Sequence, residues 1–199
     1  GTFRGVGRLA IPGYRQHLAE VAAATLGEDA AAAFFGLLAE SQRPLIYAGG
    51  GVINGNASAA LTEFIELLQI PVVTTLMGLG VYDTTRPLSM RMLGMHGAAF
   101  ANYAVDDCDF LIALGARFDD RVAGVPAKFA PNAKRIAHID VDGSEINKVK
   151  RVQWNHVGLL PPALDALRAY GRGRGFHRDW SEWHGHLAML KQKYAMNYD

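Results

Sequence analysis

Four places along the chain collect the residue types that hold anions: Gly49-Gly50-Gly51, Thr74 to Gly78, Gly115 to Arg121 and Asp140 to Glu145. Three successive glycines after an apolar run let a phosphate or ribose approach the backbone, and the amino terminus of a following helix favours negative charge. The triplet is not the dinucleotide fingerprint G-x-G-x-x-G, and a tight turn explains it equally well. In Gly115-Ala116-Arg117-Phe118-Asp119-Asp120-Arg121, two arginines and two aspartates stand together, which is costly unless they pair or meet a ligand. Arginine grips phosphate in a bidentate way, so a ligand role is preferred here to a structural salt-bridge corner. Asp140-Val141-Asp142 leads into Ser144 and Glu145. A carboxylate there can accept hydrogen bonds from ribose hydroxyls, while Asp142 is equally an N-cap for a short helix.

Other reactive side chains carry less. His96, in Leu93-Gly94-Met95-His96-Gly97, sits on a flexible loop with no second histidine or thiolate at metal spacing, and reads as a positioning or packing residue. His184 and His186 are two apart on a helical segment and face different ways, so no metal is assigned. Cys108 is the single cysteine, set among Asp106, Asp107 and Asp109, whose charges oppose thiolate formation; it reads as a packed, idle thiol in a reducing compartment.

The elements that position these clusters are legible from periodicity. A helix is expected over Ala30–Ser41, opened by Gly27-Glu28-Asp29 with acidic residues where the helix dipole prefers them. Pro44–Ala48, Pro71–Thr74, Phe110–Leu114 and Arg135–Ile139 read as short apolar strands, with Val157-Gly158-Leu159 as a last one. Helical stretches are expected around Leu61–Leu68, Ala98–Val105 and Pro161–Tyr170. This alternation specifies an α/β fold: a doubly wound, mainly parallel sheet with helices on both faces, whose ligands bind beyond the carboxyl ends of the strands. The four polar clusters lie at those ends. The expected organisation is a leading segment over residues 1–26 with few periodic signals, a nucleotide-binding domain over 27–170, and a linker and helix over 171–199. Gly171-Arg172-Gly173-Arg174-Gly175 reads as the linker, and Arg168, Arg172, Arg174 and Arg178 as a solvated basic cluster. Trp180, Trp183, Leu187 and Leu190 form a helical stripe that packs on this domain or docks on another.

Composition narrows the function classes. The chain has 199 residues, half of them apolar and a fifth charged, with a formal net charge of +1. This is a globular composition, without the concentrated basic surface of a nucleic-acid binder. No apolar run approaches the ~20 residues of a membrane span. The beginning, Gly1-Thr2-Phe3-Arg4-Gly5, reads as a section of a longer protein.

Taken together, the motifs resemble one family. Thr75-Leu76-Met77-Gly78-Leu79-Gly80, Met92-Leu93-Gly94-Met95-His96-Gly97, Ala101-Asn102-Tyr103-Ala104, Arg117-Phe118-Asp119-Asp120-Arg121-Val122 and His138-Ile139-Asp140-Val141-Asp142 follow one another in this order. They are similar to the central domain of acetolactate (acetohydroxyacid) synthase catalytic subunits. Ile11-Pro12-Gly13-Tyr14 resembles the family's approach to that domain, and Tyr198-Asp199 its approach to the next. The resemblance runs from about Ile11 to Val157.

The resemblance implies a parent enzyme that decarboxylates pyruvate on thiamine diphosphate and joins the two-carbon unit to pyruvate or 2-oxobutanoate, for branched-chain amino-acid synthesis. It implies FAD across this domain, held by Gly49, Gly50, Gly51, Thr75, Leu76, Met77, Leu93, Gly94, Met95, His96, Gly115, Arg117, Asp119, Arg121, Val122, Asp140 and Val141. Met95, His96, Asp120 and Arg121 would border the substrate channel, where the family's inhibitors bind. No catalytic residue and no metal ligand are expected in this chain. The activating glutamate, and the motif that holds magnesium and diphosphate, belong to flanking domains of the family, so the chain alone is expected to be inactive. A homodimeric or tetrameric parent is implied, with a regulatory small subunit as a further partner; its compartment is the cytoplasm for a bacterial parent, an organellar one being left open. Two positions differ from the family pattern: Gly158-Leu159-Leu160-Pro161-Pro162 stands where a Gly-Asp pair follows the last strand near the FAD adenosine, and Val125 where Lys commonly follows the Arg-Val-x-Gly turn. The alternatives are the central domain of another thiamine-diphosphate carboligase or oxidase, such as glyoxylate carboligase, and a stand-alone nucleotide-binding module.

Overall fold

A computed structural model describes residues 13–119 and 124–195. Six strands form one sheet: β1 (Pro44–Ala48), β2 (Val72–Thr74), β3 (Ser89–Met92), β4 (Phe110–Leu114), β5 (Arg135–Asp140) and β6 (Trp154–Val157). Every pairing is parallel and the order is β3-β2-β1-β4-β5-β6. The expected doubly wound sheet is therefore present. The chain runs outward from β1 in one direction and from β4 in the other, so the switch point lies between these two central strands. All residues of β1 and β4 are buried, as strands covered on both faces must be.

Seven helices surround the sheet among the described residues: α1 (Tyr14–Ala23), α2 (Glu28–Ala39), α3 (Gly50–Asn54), α4 (Ser58–Leu68), α5 (Ala99–Asp107), α6 (Leu160–Gly173) and α7 (Ser181–Lys193). In α4, Leu61, Phe64, Ile65 and Leu68 repeat at helical spacing and are all buried, giving a stripe that packs on α6. Helix α2 also packs on α6, while α5 packs on α7. Phe34 of α2 meets Phe64, Phe110 and Trp154, joining helices to sheet through one aromatic cluster.

Several expectations need correcting. The leading segment contains a helix, α1, in spite of its weak periodicity. Strand β3 was not anticipated, because Ser89-Met90-Arg91-Met92 lacks an apolar run and pairs on one side only, through an irregular register. The last strand lies earlier than expected, at Trp154–Val157, fastened by the Trp154 indole N–H donating to the Ala30 carbonyl at 2.8 Å.

The glycine–arginine stretch is not a free linker. It is the last turn of α6, closed by Phe176 N–H to the Gly171 carbonyl (2.9 Å) and Gly175 N–H to the Arg172 carbonyl (3.1 Å). Gly175, at φ +59°, supplies the left-handed residue that this Schellman closure requires. Phe176 then lands on Phe35, edge to face at 4.8 Å. Three of the four clustered arginines find partners, while Arg172 and Arg174 stay exposed as expected. Arg168 pairs with Glu63 and Asp165, Arg174 with Glu28, and Arg178 donates to the Ser41 carbonyl while lying over the Trp180 ring.

Helix α7 seals the end of the sheet where the strands begin. The Trp183 indole donates to the Pro44 carbonyl at 2.9 Å, and that of Trp180 to the Leu68 carbonyl at 2.9 Å. The tryptophan stripe therefore packs on this domain. His184 and His186 diverge as expected: one meets the Gln69 carbonyl, the other pairs with Asp107 at 2.7 Å. On the same end, Asp109 accepts from the Ser41 hydroxyl (2.5 Å) and from the Gln42 (2.8 Å) and Arg43 (2.9 Å) amides, tying the approach to β1 to the start of β4.

Candidate functional site

The loops that leave the carboxyl ends of β1, β2, β4 and β5 carry the four polar clusters, and the sheet brings these to one edge. At the switch point the glycines let two loops pack closely, in line with the tight-turn alternative for the triplet. A Cβ on Gly51 would lie 2.7 Å from the Gly115 Cα, and one on Gly115 would lie 2.7 Å from the Gly51 Cα. The two loops thus meet backbone to backbone, reinforced by Gly51 N–H donating to the Gly115 carbonyl at 2.9 Å. Gly115 also holds φ +53°, which side chains disfavour. The space left by these missing side chains is filled by protein, so Gly51 and Gly115 shape the floor of the site. Gly49 closes against the same loop, its N–H bonded to the Leu114 carbonyl at 3.0 Å, and Gly50 faces Met77.

After β2, Thr75 caps a 3₁₀ turn over Leu76–Gly78, its hydroxyl accepting from the Gly78 amide at 3.0 Å. That turn packs on α3 and presents Leu76 (66 % exposed) and Met77 (73 %) to solvent. After β3, Met95 is 78 % exposed and His96 is exposed beside it, whereas Leu93 is buried and can offer only its backbone to a ligand. This loop is pinned, contrary to the expectation of flexibility. Asn102 of α5 accepts from the Gly94 amide at 2.7 Å and donates to the Gly94 carbonyl at 3.0 Å, a two-way clamp. Asn102 was quoted above only as part of a motif; an amide eight residues from a glycine loop was the signal for its role.

Arg117 and Asp119 are both exposed and form an ion pair at 3.3 Å. Such a pair adds little stability in water, which leaves both groups for a ligand to recruit. Asp120, Arg121 and Val122 lie outside the described residues. Between Arg117 and Asp119, Phe118 turns inward. Tyr47, Ala113 and His138 are register partners across β1, β4 and β5. The Phe118 ring lies 5.5 Å from the Tyr47 ring and 5.5 Å edge-on from His138, with small Ala113 between them. The Tyr47 hydroxyl donates to the Arg117 carbonyl at 2.8 Å, so this row holds the ligand-edge loop from below. Burial, helped by the charge of Asp119, drives the Tyr47 hydroxyl well above its ordinary range, so it remains a neutral donor.

Asp140 closes the edge. It is buried, its Oδ1 accepts from the Asp142 amide at 2.9 Å, and its Oδ2 lies 3.8 Å from His138 Nε2. Val141 beside it is exposed. Asp142 is the N-cap foreseen as the structural alternative: it accepts from the Ser144 amide and hydroxyl, which hold its carboxyl below the usual range. After Gly158-Leu159, helix α6 begins at Leu160 with proline in its first turn, where the missing N–H is harmless. Cys108 is fully buried and donates to the Val105 carbonyl at 3.1 Å; burial is the main force raising its thiol, with the neighbouring aspartates secondary. No group of three or more potential metal ligands occurs among the described residues.

The edge thus offers backbone groups, a cation, carboxylates and exposed apolar side chains, a set suited to an extended ligand with polar and aromatic parts. Residues 31–167 match the family model described as thiamine pyrophosphate enzyme, central domain. Among similar proteins, acetolactate synthase 1, chloroplastic, of Zea mays is 41% identical over 192 residues, covering 96% of this chain and 29% of its own length. Acetolactate synthase 3, chloroplastic, of Brassica napus is 44% identical over 164 residues, covering 81% of the chain and 25% of its own length. For acetolactate synthase, chloroplastic, of Arabidopsis thaliana the figures are 43% over 164 residues, 81% and 24%. The chain therefore spans less than a third of the length of these relatives. With the fold, the ordered loops and the match in agreement, the chain belongs to the central-domain family of thiamine pyrophosphate enzymes, as a section of the kind found in acetolactate synthases.

Proposed function

We propose that this chain is the cofactor-holding central section of an acetolactate synthase large subunit, and that FAD lies along the carboxyl edge of its sheet. The observation that carries the reading is the convergence, at that edge, of the loops bearing Thr75–Met77, Gly94–His96, Gly115–Asp119 and Asp140–Val141. The chemistry of these residues fits the group. Exposed Leu76, Met77 and Met95 suit an aromatic ring system, Arg117 suits a pyrophosphate, and Asp140 suits ribose hydroxyls. Gly49, Gly51 and Gly115 serve by letting the loops close into a floor, and Thr75, Leu93 and Gly94 by backbone placement. Arg121 and Val122 would extend the contacts of the same loop, with Met95, His96, Asp120 and Arg121 bordering the substrate channel.

In the parent enzyme, thiamine diphosphate and Mg²⁺ supply the decarboxylation and condensation chemistry from flanking domains, with pyruvate and 2-oxobutanoate as substrates. The central section contributes no catalytic residue and no metal ligand. Its organisation is a leading segment, a nucleotide-binding domain over 27–170, and a C-terminal part approaching the next domain. The parent assembles as a homodimer or tetramer, with a regulatory small subunit as a further partner. The relatives bear the word chloroplastic in their names, which supports an organellar compartment for the parent.

FAD titrated into the purified chain, followed by flavin fluorescence quenching and equilibrium dialysis, tests the assignment. Saturable binding that weakens in Arg117→Ala and Asp140→Ala is expected. No binding to the wild-type chain would remove FAD from this domain, and acetolactate production by the chain alone with thiamine diphosphate and Mg²⁺ would overturn the division of labour.

A further inference from the structure

His138 is fully buried on β5, and among the described residues neither ring nitrogen has a hydrogen-bond partner. A polar group in that condition costs folding free energy that an apolar side chain of similar size would not. Packing alone therefore gives no reason for an imidazole here. Its surroundings suggest another. His138 and Asp140 are two apart on one strand and so project from the same face of the sheet. The ring is held edge-on by Phe118, which is itself packed against Tyr47 and Phe129. Nε2 points at Asp140 Oδ2 from 3.8 Å, just beyond hydrogen-bond reach, while Oδ1 is already held by the Asp142 amide.

We propose that His138 is a positioning residue for the Asp140 carboxylate: its Nε2–H donates to Oδ2 when a ligand hydroxyl engages that oxygen, fixing the carboxylate plane toward a vicinal diol. Oδ1 is then set by the backbone and Oδ2 by the imidazole, so Asp140 has one orientation left in which to accept the ligand. The same ring supports Phe118, and with it the loop that carries Arg117 and Asp119. One side chain beneath the sheet edge therefore aligns two neighbouring contacts of the site. The inference rests on the FAD reading above.

The test uses the whole chain with His138→Leu, which removes the N–H at similar size, and His138→Gln, which returns an amide donor close to the Nε2 position. Urea unfolding without FAD is expected to leave His138→Leu at least as stable as wild type. Its Kd for FAD is expected to rise about ten-fold, the loss of one hydrogen bond to a charged group. His138→Gln should recover most of that loss. In an Asp140→Ala background, His138→Leu should add nothing further, because the two act through one contact. Equal FAD affinity in His138→Leu and wild type, a glutamine variant no better than the leucine, a fully additive double variant, or a marked fall in urea stability for His138→Leu each overturns the proposal. Absence of FAD binding in wild type would instead sink the reading on which it depends, and this differs from a wild-type protein that binds while the variants match it.

Discussion

Substituting Gly115 by alanine tests whether the switch-point glycines are there for the protein or for a ligand. The new Cβ would stand 2.7 Å from the Gly51 Cα, closer than real contacts allow, and the atoms it meets belong to backbone that cannot swing aside. The residue would also have to hold φ +53°. The left-handed backbone costs an alanine about 1–2 kcal/mol, and forcing apart two packed segments about 1–3 kcal/mol. The sum, about 2–5 kcal/mol, is a large share of the ~5–15 kcal/mol that holds a domain folded. At a urea dependence of about 2 kcal/mol per molar, the midpoint should fall by about 1–2.5 M. Gly51→Ala should cost about 1–3 kcal/mol through the same contact, and the double variant less than the sum. Gly36, on the exposed side of α2 with open space around its Cα, is the control: alanine there should stabilise by about 0.5–1 kcal/mol. All of this should be seen in ligand-free protein. An unchanged midpoint for Gly115→Ala would refute the close-packing argument and return these glycines to a ligand role.

Three further outcomes follow from contacts described above. Asp109→Ala removes three hydrogen bonds to one carboxylate and should cost about 2–4 kcal/mol in urea, with the Gln42 and Arg43 amides gaining hydrogen exchange. Trp183→Phe keeps an aromatic ring but loses both the bond to the Pro44 carbonyl and part of the buried indole; a cost of about 2 kcal/mol in thermal or urea unfolding is expected, and none would show both to be incidental. Cys108 should resist thiol reagents at pH 8 until the protein unfolds. Its raised folded pKa also gives a signed pH effect. Above about pH 8.5 the unfolded thiol ionises while the folded one stays protonated, so stability falls as pH rises from there. Tyr47 acts in the same direction from about pH 10. Cys108→Ala should flatten the first part of that alkaline decline, and an unchanged slope between pH 8.5 and 10 would sink the argument.

How much of this was legible beforehand depended on what each element needs. β1 and β4 were read to the residue, because strands covered on both faces must be continuous apolar runs. β3 was missed for the converse reason: an edge strand with an exposed Arg91 carries no such run. Arginines at 168 and 178 looked solvated because their partners, Glu63 and Trp180, come together with them only in the fold, whereas Arg174 is solvated as expected. The polar clusters could be placed at the carboxyl ends of the strands from residue types and periodicity, yet how each side chain sits there could not. Gly51 and Gly115 lie 64 positions apart, and their contact is a product of strand order. His138 passed as part of a motif, since nothing in a string of letters distinguishes a buried imidazole with partners from one without.

The row formed by Tyr47, Ala113 and His138, with Phe118 folded over its middle, has a consequence for how this protein can change. The four side chains share one fixed space, so a larger residue at 113 must be met by a smaller one at 118, and a change at 47 or 138 would retune the fit of both. Drift at any one of them alone would shift the loop that carries Arg117 and Asp119. These positions should therefore be exchangeable only as a set, and libraries that vary them jointly should yield folded variants that single substitutions never reach.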